Sequence, residues 1–201
     1  MTIAFLTLAA YLFGAIPFGL LIAKSRGVDI REQGSGNIGA TNVFRVLGKS
    51  WGIFTFVLDA LKGFIPAFYF PLFGDIAPDY GVLFGIVAIL GHSFPVYLKF
   101  KGGKGVATSA GMLLGVAPVA VGIGFLCWII CIFISRYVSL SSILAAIAVA
   151  ATVWIRGEKS LVVSCALTFL ALLVVWLHRA NIKRLLNGTE NRFGKKKETS
   201  A

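Results

Sequence analysis

Seven apolar runs, at residues 3–23, 51–73, 80–94, 106–115, 119–135, 138–155 and 161–177, leave this 201-residue chain little to become except a bundle of membrane helices. A helix rises about 1.5 Å per residue, so crossing a hydrocarbon core of about 30 Å takes roughly 20 apolar residues. Apolar side chains make up 58% of the chain and charged ones 13%, far from soluble globular usage. The expected fold is therefore all-α and integral to the membrane. It is a single domain over residues 1–201, with seven transmembrane helices and a disordered tail at 191–201. The run at 106–115 has about half the usual crossing length, and a tilted, re-entrant or interfacial helix there would leave five or six full spans.

Charge sets the orientation. With seven spans, sixteen of the nineteen basic residues fall on one side, from Lys24, Arg26, Arg31, Arg45 and Lys49 through Lys99, Lys101, Lys104 and Arg136 to the tail. Only Arg156 and Lys159 fall on the other. Lys and Arg accumulate in cytoplasmic loops, so the C-terminus is expected in the cytoplasm and the N-terminus outside. Were 106–115 not to cross, Arg136 would move outward and the last two spans would invert, which argues for seven. No small-residue cleavage pattern follows the first span, so it is read as retained.

The formal net charge of +11 is spread among apolar spans and does not form one solvated face. No nucleic-acid partner is expected on that ground; phospholipid headgroups or phosphorylated substrates are. Cys127, Cys131 and Cys165 lie inside apolar runs, and no Cys or His pair has closed-site metal spacing. Neither a disulfide nor a metal site is expected.

Three polar segments interrupt the apolar pattern, and with seven spans all three face the cytoplasm: GSGNIGATNVFR at 34–45, KGGKGVATS at 101–109 and HRANIKRLLNGTE at 178–190. Gly34, Gly36 and Gly39 spell G-x-G-x-x-G, with Asp59 twenty residues beyond. The dinucleotide fingerprint requires a preceding strand and a βαβ unit, whereas this segment follows a membrane span. KGGKGVATS fails the P-loop pattern because Gly105, not Ser or Thr, follows Lys104. Anion binding survives both rejections. Gly34, Gly36, Gly102 and Gly103 let backbone N–H groups converge on an anion, and both loops lead into helices. Ser35, Asn37, Thr41 and Asn42 add neutral donors, and Arg45 and Lys104, with Lys101 nearby, add positive charge suited to phosphate oxygens. In the third segment His178 and Asn181, three residues apart, can share a helical face. Lys183, Arg184, Lys195, Lys196 and Lys197 read as an electrostatic attraction to anionic lipid.

Asp59 and Lys62 are costly inside a span, on the order of 2.5–3.5 kcal/mol each near the bilayer centre. Their i, i+3 spacing permits an ion pair holding helices together, or Lys62 reaches the headgroup level and meets substrate phosphate. His92, beside Ser93, is a satisfied polar residue, or else a base or substrate contact. Gly81 with Gly85, and Gly111 with Gly115, have the small-xxx-small spacing of closely packed helices.

Taken with LDALKG around Asp59 and Lys62 and GHSFPVYLKFKGGKGVAT at 91–108, the segments resemble, in the same order and over essentially the whole chain, the bacterial membrane-bound acyl-phosphate:glycerol-3-phosphate acyltransferases. The resemblance implies transfer of a fatty acyl group from acyl phosphate to the 1-hydroxyl of glycerol 3-phosphate, giving lysophosphatidic acid and phosphate. That is the first committed step of bacterial phospholipid synthesis, placed at the cytoplasmic face of the inner membrane. It implies no cofactor, and neither coenzyme A nor acyl carrier protein as direct donor. Two phosphorylated substrates need two anion cradles, a donor for the developing oxyanion and an acceptor for the hydroxyl proton. Carried over by motif, Ser35, Lys104, His178 and Asn181 are the implied catalytic residues. Ser35 and Asn37 with neighbouring amides bind one phosphate, Arg45 and Lys104 clamp phosphate charge, and Asn181 orients or stabilises the carbonyl oxygen. Gly34, Gly36, Thr41, Asn42, Lys62, His92, Lys101, Gly102, Gly103 and Ser142 complete the substrate-binding set.

The His-x4-Asp base of a second acyltransferase class is excluded, because Tyr97 and Lys183 stand where the aspartate would follow His92 and His178. Acyl phosphate is a mixed anhydride with a good leaving group. The hydroxyl proton can therefore pass to a substrate phosphate oxygen, with His178 in support, or to His178 itself. The non-enzyme alternative, a phosphate or phospho-ester transporter, calls for broken helices in an inverted repeat, and the chain shows no such repeat. An alcohol phosphotransferase would need clustered aspartates, but Asp29, Asp59, Asp75 and Asp79 are scattered.

Overall fold

The computed structural model describes residues 1–74, 76–157 and 160–194. Asp75, Lys159 and the basic cluster at 195–197 lie outside the described residues, as does most of the tail expected to be disordered. Every regular element among the described residues is helical. The chain forms two compact units, Met1–Pro118 and the residues from Val119 onward.

The first unit opens with α1 (Thr2–Ala15) and α2 (Phe18–Ser25), where the sequence suggested one span. Pro17 has no N–H to continue the ladder and pushes its predecessor out of the helical region. Ile16 accordingly sits at φ −59°, ψ 117°. A loop then leads into the short amphipathic α3 (Ala40–Leu47), followed by α4 (Lys49–Tyr69), a 3-10 turn at Phe70–Gly74 and α5 (Tyr80–Ser93). A second 3-10 turn at Val96–Leu98 and the 101–105 loop precede α6 (Val106–Val116).

Glycine sets the interhelical distances. A Cβ on Gly63 would overlap the Thr108 carbonyl, and one on Gly111 the Ala60 carbonyl, so α4 and α6 pack with their backbones in contact. Gly85 receives the Met112 side chain, and Gly14 and Gly91 bring α1 against α5. The small-residue pairs noted in the sequence thus lie at helix contacts. Under the first polar loop, Leu20 and Ala23 of α2 form a buried cluster with Ile30, Ile38 and Val43. Each large side chain withdrawn from water there contributes about 1.5–3 kcal/mol, which anchors the loop from below.

The second unit contains α7 (Pro118–Ser135), α8 (Val138–Arg156), α9 (Leu161–Leu177) and α10 (Arg179–Leu186). Gly124 lets α7 approach Val149 and Ala145 on α8. Trp154 Nε1 donates to Thr168 Oγ1 at 2.9 Å, joining α8 to α9. Ser160 caps α9 by accepting from the Val163 N–H. Part of the tail is fixed: the Phe193 N–H donates to the Arg136 carbonyl at 2.7 Å, and Arg192 Nε to the Tyr137 hydroxyl at 3.0 Å.

Among the described residues, five helical stretches are long and apolar enough to cross a bilayer: Thr2–Ser25, Lys49–Phe73, Tyr80–Leu98, Pro118–Ser135 and Val138–Arg156. Leu161–Leu177 and Arg179–Leu186, bent by 54° at His178, pass the same length and hydropathy test only when taken together, as one broken span or a re-entrant pair. At 11 residues α6 is about 16 Å long, roughly half the hydrocarbon thickness.

Candidate functional site

In the first polar loop one side chain does the folding. Asn42, 1% exposed, sends Nδ2 toward the carbonyls of Ile30, Gln33 and Asn37 at 3.1, 2.9 and 2.9 Å. Its Oδ1 accepts from the Ser35 N–H at 2.8 Å and from Arg45 at 3.3 Å. Gly34 and Gly36 take φ values of 62° and 71°, and a Cβ on Gly34 would collide with the Asn42 side-chain Oδ1. The Gly36 N–H is bound to the Gln33 carbonyl, and the Gly39 N–H to Asn37 Oδ1. Asn42, expected as a ligand donor, spends its amide on the loop itself, Asn37 is tied through its Oδ1, and several loop amides are engaged inside the fold. The loop presents the exposed residues Ser35, Thr41 and Arg45. Just upstream, the Arg31 side chain and backbone hydrogen-bond Asp29 and lower its pKa to about 2.

The second loop is built on the end of α5. Lys99 and Phe100 adopt left-handed conformations, costing about 1–2 kcal/mol each for residues with a Cβ. Bonds from the Leu98 and Phe100 N–H groups to the Pro95 carbonyl hold that turn. The chain then doubles back, so that the Gly102 N–H donates to the Ser93 carbonyl and the Gly103 N–H to the His92 carbonyl, both at 3.1 Å. These bonds satisfy carbonyls that a helix C-terminus otherwise leaves without partners. A Cβ on Gly103 would overlap the His92 ring, and one on Gly102 the His92 and Ser93 carbonyls. Here too the amides expected to meet an anion serve the fold. Lys101 is exposed and Lys104 half-buried at the entrance to α6.

Beneath both loops lies a charged cluster. Lys62, 1% exposed, places Nζ 2.9 Å from Asp59 Oδ1 and donates to the Ile16 carbonyl at 2.9 Å. The His92 Nδ1 is 3.7 Å from the same Asp59 oxygen. Of the two readings of Lys62, this geometry displays the ion pair.

In the second unit His178 stands between α9 and α10, 3% exposed, with Nδ1 2.8 Å from the Val174 carbonyl. A carbonyl only accepts, so Nδ1 carries the hydrogen and Nε2 is the basic atom of the neutral ring. Asn181, 5% exposed, donates Nδ2 to Glu190 Oε1 at 2.6 Å. Ser139 Oγ donates to the same oxygen at 2.8 Å, and Arg184 Nε to Oε2 at 2.7 Å. Burial raises the Glu190 carboxyl, but the hydrogen bonds from Asn181, Arg184 and Ser139 outweigh it and hold the group below its ordinary value. Ser142 donates to the Val138 carbonyl and accepts from Trp128 Nε1, so its hydroxyl ties α7 to α8. Glu190 is the organiser that the sequence reading left out of the site. Its signal was being the one carboxylate in a basic segment. Among the described residues no three His, Cys, Asp or Glu side chains gather as metal ligands.

The Glycerol-3-phosphate acyltransferase family model matches residues 4–188. A glycerol-3-phosphate acyltransferase of Aquifex aeolicus is 46% identical, covering 96% of this chain and all of the relative. One from Macrococcus caseolyticus is 48% identical, covering 98% and 100%. Among solved structures, PlsY, described as an integral membrane glycerol 3-phosphate acyltransferase, aligns in its glycerol 3-phosphate form with a TM-score of 0.91 at 44% identity, covering 96% of each chain. Its lysophosphatidic acid form aligns with a TM-score of 0.88 at 43% identity over the same shares. Fold and motifs together define an integral membrane acyltransferase. The chain belongs to the glycerol-3-phosphate acyltransferase family, as its three polar segments imply.

Proposed function

We propose that this chain moves a fatty acyl group from acyl phosphate to the 1-hydroxyl of glycerol 3-phosphate, releasing 1-acyl-glycerol 3-phosphate and inorganic phosphate, with no coenzyme A or acyl carrier protein as direct donor. The observation that carries the reading is the near-complete match to an enzyme solved in glycerol 3-phosphate and lysophosphatidic acid forms. The 1-hydroxyl oxygen attacks the acyl carbonyl carbon, the carbon–oxygen bond to phosphate breaks, and phosphate leaves with the bonding pair. A substrate phosphate oxygen takes the hydroxyl proton, and His178 supports that transfer through Nε2.

The side chains supply what this chemistry needs. Arg45, Lys101 and Lys104 neutralise phosphate charge, and Ser35 and Thr41 donate hydroxyl hydrogen bonds. Asn181, its amide held by Glu190, orients the reacting carbonyl or hydroxyl. Gly34, Gly36, Asn37, Asn42, Gly102 and Gly103 serve by keeping those side chains in place.

Seven crossings follow in this reading, with α1 and α2 forming one span and α6 crossing as a short helix. The N-terminus is outside and the basic segments are in the cytoplasm of a bacterial cell, at its inner membrane, among anionic lipids. The distribution of Lys and Arg supports this orientation. The test is turnover by purified protein given only long-chain acyl phosphate and glycerol 3-phosphate. Phosphate and 1-acyl-glycerol 3-phosphate are expected in equal amounts, and no product from these two substrates contradicts the reading.

A further inference from the structure

Three ionisable side chains are buried together in the first unit, and none has an exposed surface from which to meet a substrate: Asp59 is 2% exposed, Lys62 1% and His92 5%. An ion pair in such surroundings is a poor device for stability alone, since well-packed apolar residues serve as well or better. What these groups join is more specific. Lys62 Nζ spans from α4 to the Ile16 carbonyl at the α1–α2 break and lies 5.6 Å over the Phe18 ring. Beyond that break, Gly19 of α2 lies against the Ile38 carbonyl and Val43, and Leu20 and Ala23 form the floor of the 34–45 loop. On the other side, His92 meets the 101–105 loop twice, through its carbonyl bond to the Gly103 N–H and through its ring beside the Gly103 Cα. Lys104 is the next residue.

We propose that Asp59, Lys62 and His92 are positioning residues, a buried charged tie that sets the α1–α2 break and the 101–105 loop in register so that Arg45 and Lys104 meet the substrate phosphates. None of the three touches substrate. The proposal rests on the reading that these two loops hold the phosphorylated substrates. A displaced phosphate loop weakens acceptor binding before it slows chemistry, so the signature is a raised KM for glycerol 3-phosphate.

The experiment uses the full chain in detergent or nanodiscs. The double variant Asp59→Asn, Lys62→Gln removes both charges and leaves no unpaired ion behind. It is expected to melt near the wild type while the KM for glycerol 3-phosphate rises about 10- to 100-fold, equivalent to a loss of about 1.4–2.8 kcal/mol of binding. Wild-type KM and kcat in that variant overturn the proposal, because the pair then only fills space. Should the double variant fail to fold, Gly103→Ala and His92→Ala are measured singly and together. The Gly103→Ala defect is expected to shrink when the ring it strikes is removed, and additive defects overturn the proposal. Stabilisation of the melting temperature by glycerol 3-phosphate is read alongside turnover. If wild type is stabilised but gives no product from acyl phosphate, the donor assignment fails and the variants are judged by the thermal shift. If it shows neither response, both the function and the tie are wrong.

Discussion

Replacing Glu190 with alanine removes an acceptor for three donors. Its side chain is 6% exposed, and two of those donors, Ser139 and Asn181, belong to residues each 5% exposed. A hydrogen bond to a charged group contributes about 1.5–3 kcal/mol, so the two buried donors account for about 3–6 kcal/mol. Arg184 is 37% exposed on its side chain, and solvent screening limits its share to at most about 1 kcal/mol. Glu190→Ala is therefore expected to cost about 3–7 kcal/mol, and Glu190→Gln, which retains one acceptor oxygen, about 1–3 kcal/mol. The assay is thermal unfolding of purified protein, with the order wild type, Gln, Ala expected from most to least stable. Acid sharpens the test. The Glu190 carboxyl is depressed below its ordinary value of 4.5 in the folded chain, so it binds a proton less readily folded than unfolded. Its stabilisation is complete above about 4.5 and is lost as pH falls through the folded-state value. Wild type should thus lose melting temperature on acidification in that window, and Glu190→Gln should lose less. An alanine variant that melts with wild type, or a glutamine variant with the wild-type pH slope, refutes the reasoning.

Asn42→Asp keeps the acceptor for Ser35 but loses the donors to three carbonyls and faces them with negative charge. Its glycerol 3-phosphate KM should rise at least about tenfold, equivalent to about 1.4 kcal/mol, and an unchanged KM would remove Asn42 as the scaffold. Gly111→Val forces α4 and α6 apart at the Ala60 carbonyl, costing at least about 1–3 kcal/mol as overpacking, seen as a lower melting temperature. His178→Ala should slow turnover while leaving the midpoint of the acid limb of the pH–rate profile in place, because the proton goes to substrate phosphate. Disappearance of that limb makes His178 the base.

Much of the architecture was legible because bilayer thickness imposes a length on apolar runs: all seven runs are helical, and the shortness of α6 shows in its residue count. The break at Pro17 was written in the sequence too, yet the continuous apolarity of 3–23 masked it, since membrane helices tolerate proline when neighbours satisfy the freed carbonyl. At that break the Phe13 carbonyl takes the Ile16 N–H, and Lys62 reaches the Ile16 carbonyl from 46 residues away, a partnership that no local pattern announces. The polar loops stood out by composition, but their internal wiring did not. Gly102 and Gly103 look like an anion cradle until the chain is seen doubling back onto α5, and Asn42 looks like a ligand donor until its five partners are counted. Glu190 escaped for the same reason, because its donors come from Ser139, Asn181 and Arg184 on two different helices.

Which bond breaks can be read directly. Acyl phosphate carrying 18O in the oxygen that bridges carbon and phosphorus is incubated with glycerol 3-phosphate and purified protein, and the products are weighed. Attack at the carbonyl carbon sends the label out with inorganic phosphate and leaves 1-acyl-glycerol 3-phosphate unlabelled. Label recovered in free fatty acid, with phosphate gained by the acceptor, would mean phosphoryl transfer and contradict the acyltransferase mechanism.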